Sequence, residues 1–219
     1  MNSDTLVILI HGFCRGAEDM QFWKKSLSSE YPNIITPDLP TTFSSFEKCL
    51  DVLSQNIAAA EPEKYKQLYF AGHSMGGLLA RAYLQKFQPG NAARLVCAGT
   101  PHRGSRLADI ALMVPGTGRI WQPLNALKTS ARENIVTPDI PGLEIGVIIG
   151  MNNAHWPGKL FLSNNADGLV ESFSAHADDA KSVAYTQVPH DPMQYDLKIA
   201  QLIKEFFRSG EFPVAYQTV

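Results

Sequence analysis

The pentapeptide Gly72-His73-Ser74-Met75-Gly76 constrains the fold more than any other stretch of the chain, because of what flanks it. Residues 68–71 (Leu-Tyr-Phe-Ala) read as a strand. Residues 76–87, with Leu78, Leu79, Ala82 and Tyr83 on one side, read as a helix stopped by Pro89-Gly90. A strand that turns into a helix this abruptly forces its central residue into a strained backbone conformation and accepts only small neighbours. The turn lifts the serine hydroxyl clear of a sheet and sets it at a helix N-terminus, where partial positive charge favours a developing anion.

The same alternation of strand and helix patterns recurs along the chain. Leu6-Val7-Ile8-Leu9-Ile10, closed by His11-Gly12, predicts a strand buried on both faces. Further strands are expected at 33–36, 95–98, 145–149 and 182–188, giving a mostly parallel central sheet with helices on both faces. A helix is expected over 20–28. A second follows Thr42, where Ser44 and Glu47 suggest a capping box and Phe46, Leu50, Leu53 and Ile57 share a face. Asp191-Pro192 is expected to open a last helix through Leu197, Ile203 and Phe206. Between residues 100 and 141 the pattern weakens, with Gly116, Gly118 and scattered prolines among Met113, Ile120 and Trp121. We read a short substrate-covering excursion there; an ordinary crossover on the sheet face would give the same pattern. No repeat or linker interrupts the 219 residues, so 1–219 is expected to be a single domain.

Composition narrows the function classes. Nineteen Lys and Arg against 21 Asp and Glu leave a net charge of -2, which gives no reason to expect a nucleic-acid partner. Cys14, Cys49 and Cys97 are odd in number and lack CxxC spacing, which favours reduced thiols in an intracellular protein. The apolar run at 6–10 is too short for a signal-peptide core or a membrane span, so a cytoplasmic location without an integral membrane segment is expected. No basic amphipathic helix favours membrane-surface attachment. The Asp and His residues have no metal-ligand spacing, so neither metal nor cofactor is expected.

A serine hydroxyl becomes a useful nucleophile only beside a base, and the base needs a carboxylate to orient it. Of the six histidines, His190 follows the final expected strand, at the carboxyl edge where α/β sheets gather functional loops. His176 is the fallback. His11 is expected to shape the loop after the first strand and His73 to point away from the hydroxyl. His102 and His155 have no comparable placement. Asp167, in the turn-rich segment 164–170, is the preferred acid, because the order Ser74, Asp167, His190 is that of nucleophile, acid and base in strand-turn-helix serine hydrolases. Glu171, Asp178 and Asp179 are alternatives that read more simply as solvated surface carboxylates. A tetrahedral intermediate would need two backbone N–H donors, expected at Met75, after the nucleophile, and at Phe13, where Gly12 lets the chain turn.

Four stretches resemble the α/β-hydrolase superfamily: residues 9–13, residues 72–81, Gly99-Thr100-Pro101-His102-Arg103-Gly104-Ser105, and Asp167-Gly168-Leu169-Val170 followed by His190. Within it the chain looks like the small lipase- and esterase-like members related to triacylglycerol lipases and GPI inositol-deacylase-like proteins. The resemblance implies Ser74 as nucleophile, Asp167 as acid, His190 as base, and the Phe13 and Met75 amides as oxyanion hole. The first loop departs from the pattern at Phe13-Cys14-Arg15-Gly16, and no long helical lid is evident. The expected activity is hydrolysis of a small-molecule or lipid ester, with protein partners unspecified. An acyltransferase or thioesterase using the same residues, or a binding protein that kept the fold without catalysis, are the alternatives.

Overall fold

The computed structural model describes residues 2–132, 138–154 and 156–218. Among these residues six strands, β1 (Thr5–Ile10), β2 (Asn33–Ile35), β3 (Gln67–His73), β4 (Ala92–Ala98), β5 (Glu144–Gly150) and β6 (Ser182–Thr186), form one sheet in the order β2-β1-β3-β4-β5-β6, and all its pairings are parallel. The chain steps outward from β1 to β2, then returns past β1 to β3 and runs on through β6. Connections therefore diverge at the carboxyl edge between β1 and β3, the kind of switch point at which open α/β sheets bind ligands.

Parallel neighbours need crossovers, and nine helices supply or follow them among the described residues: α1 (Gln21–Leu27), α2 (Phe46–Ala59), α3 (Met75–Phe87), α4 (Arg106–Leu112), α5 (Thr117–Ile120), α6 (Leu124–Leu127), α7 (Trp156–Phe161), α8 (Ser172–Ala175) and α9 (Leu197–Ser209). The unbroken apolar run in β1 follows from this layering. Leu6, Ile8 and Ile10 enter one core with residues of α2 and α3, whereas Val7 and Leu9 enter the other with α1 and α9. The expected parallel central sheet with helices on both faces is the one observed.

Two helix starts differ from expectation. Ser45, not Ser44, caps α2, its hydroxyl accepting the Lys48 N–H at 3.2 Å, while Ser44 closes the preceding turn onto Pro40 O. That start faces Cys49, Leu50, Leu53 and Ile57 inward, so the buried stripe selects the cap. Asp191-Pro192 opens a separate 3-10 turn, Asp191–Tyr195, held by tertiary contacts: Met193 and Gln194 are buried, and Trp23 Nε1 donates to Met193 O. α9 begins afterwards, with Asp196 accepting from the Lys198 and Ile199 N–H groups at 2.7 and 3.2 Å, and Leu197 is exposed rather than part of the apolar face.

Between β4 and β5, α4, α5, α6 and a 3-10 turn at Thr129–Arg132 make the excursion; 133–137, like His155, lie outside the described residues. No helix among the described residues is long and apolar enough to cross a membrane.

Candidate active site

β3 and α3 are separated by Ser74 alone, and its backbone lies at φ 54°, ψ −125°, a conformation L-residues avoid. Neighbours hold it there. Ser74 N donates to Ala98 O at 2.8 Å, and Ser74 O accepts from Gly77 N at 3.1 Å. A Cβ on Gly76 would overlap the Ile10 carbonyl, so β1 passes this close only because position 76 has no side chain. Met75 is the first residue of α3, and its N–H therefore has no carbonyl within the helix to bond.

The loop after β1 presses on the serine from the other side. A Cβ on Gly12 would lie 3.0 Å from Ser74 Cβ, and the next residues, Phe13, Cys14 and Arg15, line the same cavity as Ser74. Buried His11 fixes this loop: its Nε2 accepts the Leu39 N–H at 3.0 Å, and its Nδ1 lies 3.1 Å from Gly12 O. Both bonds are made by a neutral ring protonated on Nδ1, and burial lowers the His11 pKa in agreement.

His190 follows β6. Its Nδ1 lies 2.7 Å from Asp167 Oδ2, and its N–H donates to Asp167 O at 2.9 Å. Asp167 Oδ1 accepts two backbone bonds, from Leu169 N at 3.0 Å and Val170 N at 2.8 Å. The turn Asp167-Gly168-Leu169-Val170 thus wraps its own carboxylate and leaves one oxygen for the imidazole. Both side chains are buried. Burial pulls the His190 pKa down, but the adjacent Asp167 charge and hydrogen bond outweigh it, and the net displacement is upward.

His73 has a use that the sequence did not disclose. Its Nε2–H donates to the His190 carbonyl at 3.1 Å, and its ring lies 4.9 Å from the His190 ring. Burial, aided by the neighbouring His190, drives its pKa well below the ordinary histidine value, so it is neutral and serves as a strut under His190. Arg15 was also missed. Its guanidinium reaches Asp191 at 2.8 Å and joins the loop after β1 to the loop after β6. Nothing local in the sequence pairs residues 176 positions apart.

The remaining candidates lie elsewhere. His176 is not among the cavity-lining residues and sits 3.7 Å from Asp178. His102 is buried against Ala175 O, and burial together with the Arg81 charge pushes its pKa down to about 3. Glu171 accepts from Ser163 N. Asp178 is exposed and paired with Arg103, as a surface carboxylate should be. Asp179 corrects the expectation of a solvated carboxylate, because it accepts both terminal nitrogens of buried Arg81, at 2.6 and 2.9 Å. The three cysteines are free, with Cys14 exposed and Cys49 and Cys97 buried.

Ser74 and His190 share a cavity of about 450 Å³. Its apolar lining is supplied by Leu107, Ala108, Leu124 and Leu127 of the excursion and by Leu169 and Val170. A hydroxyl, an imidazole backed by a carboxylate, and a helix N-terminus around an apolar space are suited to acyl transfer. Among the described residues, no group of three or more His, Cys, Asp or Glu could hold a metal ion.

The alpha/beta hydrolase fold family matches residues 5–119. Among solved structures, the mature form of a lipase from Bacillus licheniformis superposes with a TM-score of 0.73, at 16% identity over 94% of this chain and 91% of that one. A metagenomic carboxyl esterase gives a TM-score of 0.72 at 12% identity, covering 96% of this chain and 75% of that one. A meta-cleavage product hydrolase from Pseudomonas fluorescens gives 0.62 at 16% identity, covering 95% and 92%. At these identities the likeness is one of fold. No curated protein matches the chain at a significant level.

Proposed function

The chain belongs to the alpha/beta hydrolase fold family, and from that premise we propose that it is a serine hydrolase of carboxylic esters with an apolar acyl group. The observation that carries this reading is the buried His190–Asp167 contact at 2.7 Å, with His190 and the strained Ser74 lining one cavity. The continuity of one sheet and its two helical layers supports treating 1–219 as a single hydrolase domain.

In this reading Asp167 holds His190 as the Nδ1–H tautomer, which leaves Nε2 as the base. Nε2 takes the proton as Ser74 Oγ attacks the ester carbonyl carbon. The resulting oxyanion is stabilised by the Phe13 and Met75 amides and by the N-terminal end of α3. As the carbonyl re-forms, the ester C–O bond breaks, and the imidazolium gives its proton to the departing alcohol. Water, deprotonated by the same nitrogen, attacks the acyl-enzyme; collapse releases the acid and restores Ser74. The Asp167 charge stabilises the imidazolium present in both steps.

The test is a p-nitrophenyl ester series from acetate to palmitate on native chain and Ser74→Ala. Turnover in the native chain and its loss in the variant are expected; equal turnover in both would remove Ser74 from its role. Added acceptor alcohols would divert the acyl group in an acyltransferase, a thioesterase would prefer acyl thioesters, and a binding protein without catalysis would resist fluorophosphonate labelling.

A further inference from the structure

The stretch of the excursion that holds α4, α5, α6 and the 3-10 turn, residues 100–132, differs in charge from the rest of the chain, which includes Asp139 at the excursion's far end. It carries Arg103, Arg106, Arg119, Lys128 and Arg132 against Asp109 alone, a net +4 in a chain of net -2, so the remaining residues carry -6. Asp109 spends both its oxygens on Thr129, accepting from its N–H at 3.0 Å and its hydroxyl at 2.7 Å. Arg103 is paired with Asp178, whereas Arg106 and Arg119 are exposed.

The same segment turns large apolar side chains outward. Met113 is 78% exposed, Val114 61%, Ile120 55% and Trp121 40%. None of the four lines the cavity, whose wall is made by Leu107, Ala108, Leu124 and Leu127 of the same excursion. The segment is therefore apolar on both sides, inward to the substrate space and outward to water. α7 packs beside α4 and adds Trp156, 75% exposed, and Leu160, 62% exposed, with the cationic Lys159 between them. Apolar side chains interspersed with cations are the footprint of an anionic lipid surface, which offers negative charge at headgroup level and hydrocarbon below it. A soluble anionic ligand would use the cations but not the exposed Met, Val and Trp. The sequence hides this face because it is spread over short helices and turns, none of which is a basic amphipathic helix.

We propose that the outer face of residues 106–121, extended by α7, docks the protein on an anionic lipid surface. This inference rests on the ester-hydrolase reading for its purpose, since it puts the cavity wall against the phase that holds apolar esters, but its test needs no turnover. The chain is cosedimented with vesicles of phosphatidylcholine alone and of an equimolar mixture of phosphatidylcholine and phosphatidylglycerol, at low and high salt. At least about tenfold tighter partitioning onto the mixed vesicles is expected at low salt, weakened by added salt. Arg119→Gln should lose about fivefold on the mixed vesicles, and Met113→Ser with Val114→Ser about tenfold or more on both compositions. Circular dichroism spectra matching those of the native chain report that these variants are folded, and their turnover of a soluble short-chain ester should stay near native. Equal partitioning onto both compositions, binding to neither, or native-like binding by the variants would overturn the proposal. So would an apolar face that mediates self-association, seen as dimers in sedimentation velocity that the Met113/Val114 variant abolishes. A chain that binds mixed vesicles yet hydrolyses no ester would refute the hydrolase reading and leave the docking surface standing.

Discussion

On the sheet side of the cavity, Ser74, Asp167 and His190 sit just beyond strand ends or in a tight turn, and each is fixed by bonds to buried neighbours. The excursion contributes to the same cavity through α4 and α6, helices of 7 and 4 residues, whose lining side chains Leu107, Ala108, Leu124 and Leu127 are aliphatic. Hydrogen bonds are directional and leave a donor or acceptor little latitude, whereas aliphatic packing tolerates a change of size at modest cost. On the proposed ester-hydrolase reading the two sets of residues, the sheet wall and the excursion wall, divide the work: geometry for bond making belongs to the sheet, and fit to the acyl group belongs to the excursion. Changes on the first wall should alter rate by orders of magnitude, and changes on the second should move preference by small factors.

The sharpest way to break this division is Ser74→Ala, which should lower kcat by roughly 10⁴ to 10⁶ without loss of fold. Asp167→Asn should cost roughly 10⁴ by favouring the wrong His190 tautomer. Steady-state kinetics on one soluble ester read both; a loss below tenfold in either would show that the sheet wall does not set the rate. Ser74→Gly removes the positive-φ penalty and should gain about 1 kcal/mol of stability while losing activity, measurable by urea denaturation.

Next in size is the pH dependence of that wall. In the proposed mechanism only neutral His190 can accept the serine proton, and its pKa is raised above the ordinary value of 6.5. The rate should therefore fall tenfold per pH unit on the acid side of a limb that lies above pH 6.5. Replacing Asp167 with Asn removes the cause of the elevation, so the limb in that variant should move to lower pH. A limb that stays in place would mean that another group titrates.

Stability should respond to acid through different histidines. His11, His73 and His102 all have lowered pKa values, with burial the largest cause in each. The unfolded chain takes up their protons near pH 6.5 while the folded chain resists, so the stability they contribute is present above pH 6.5 and is lost as pH falls. Each can remove up to about 1.4 kcal/mol per pH unit in that range. His190, with a raised pKa, has the opposite sign, holding its contribution below 6.5 and losing it as pH rises through its folded value. Urea midpoints at pH 7.5 and 5.5 measure the sum, which should favour pH 7.5; His73→Leu should reduce the difference.

The contrast between the walls also explains what the sequence disclosed. β1 and the glycine-serine-glycine turn were legible because continuous apolar runs and obligatory small residues are local demands. The position of Ser74, Asp167 and His190 at one sheet edge follows from strand order. What was hidden depends on distant partners. Asp179 looks like its exposed neighbour Asp178 until α3 brings Arg81 to it, and His73 beneath His190, like Arg15 beside Asp191, depends on closure of the whole sheet. Even the cap of α2 falls on Ser45 instead of Ser44 because the buried stripe settles its start. In the excursion, scattered Gly and Pro announced an irregular segment but could not say which side chains face the cavity.

The smallest expected effect tests the second wall directly. Leu124 and Leu127 both line the cavity and are buried, so Leu124→Ala removes three carbons from its lining while leaving every hydrogen bond of the sheet wall in place. The space released suits an acyl chain longer by about three methylenes, and a methylene in an apolar pocket is worth about 1 kcal/mol or more. Across the p-nitrophenyl series the preferred chain should lengthen, KM for short esters should rise several-fold, and kcat for the best substrate should stay within about threefold of native. A fall in kcat as deep as that of Asp167→Asn would mean that the aliphatic wall positions the reacting carbonyl after all, and the division between the walls would not hold.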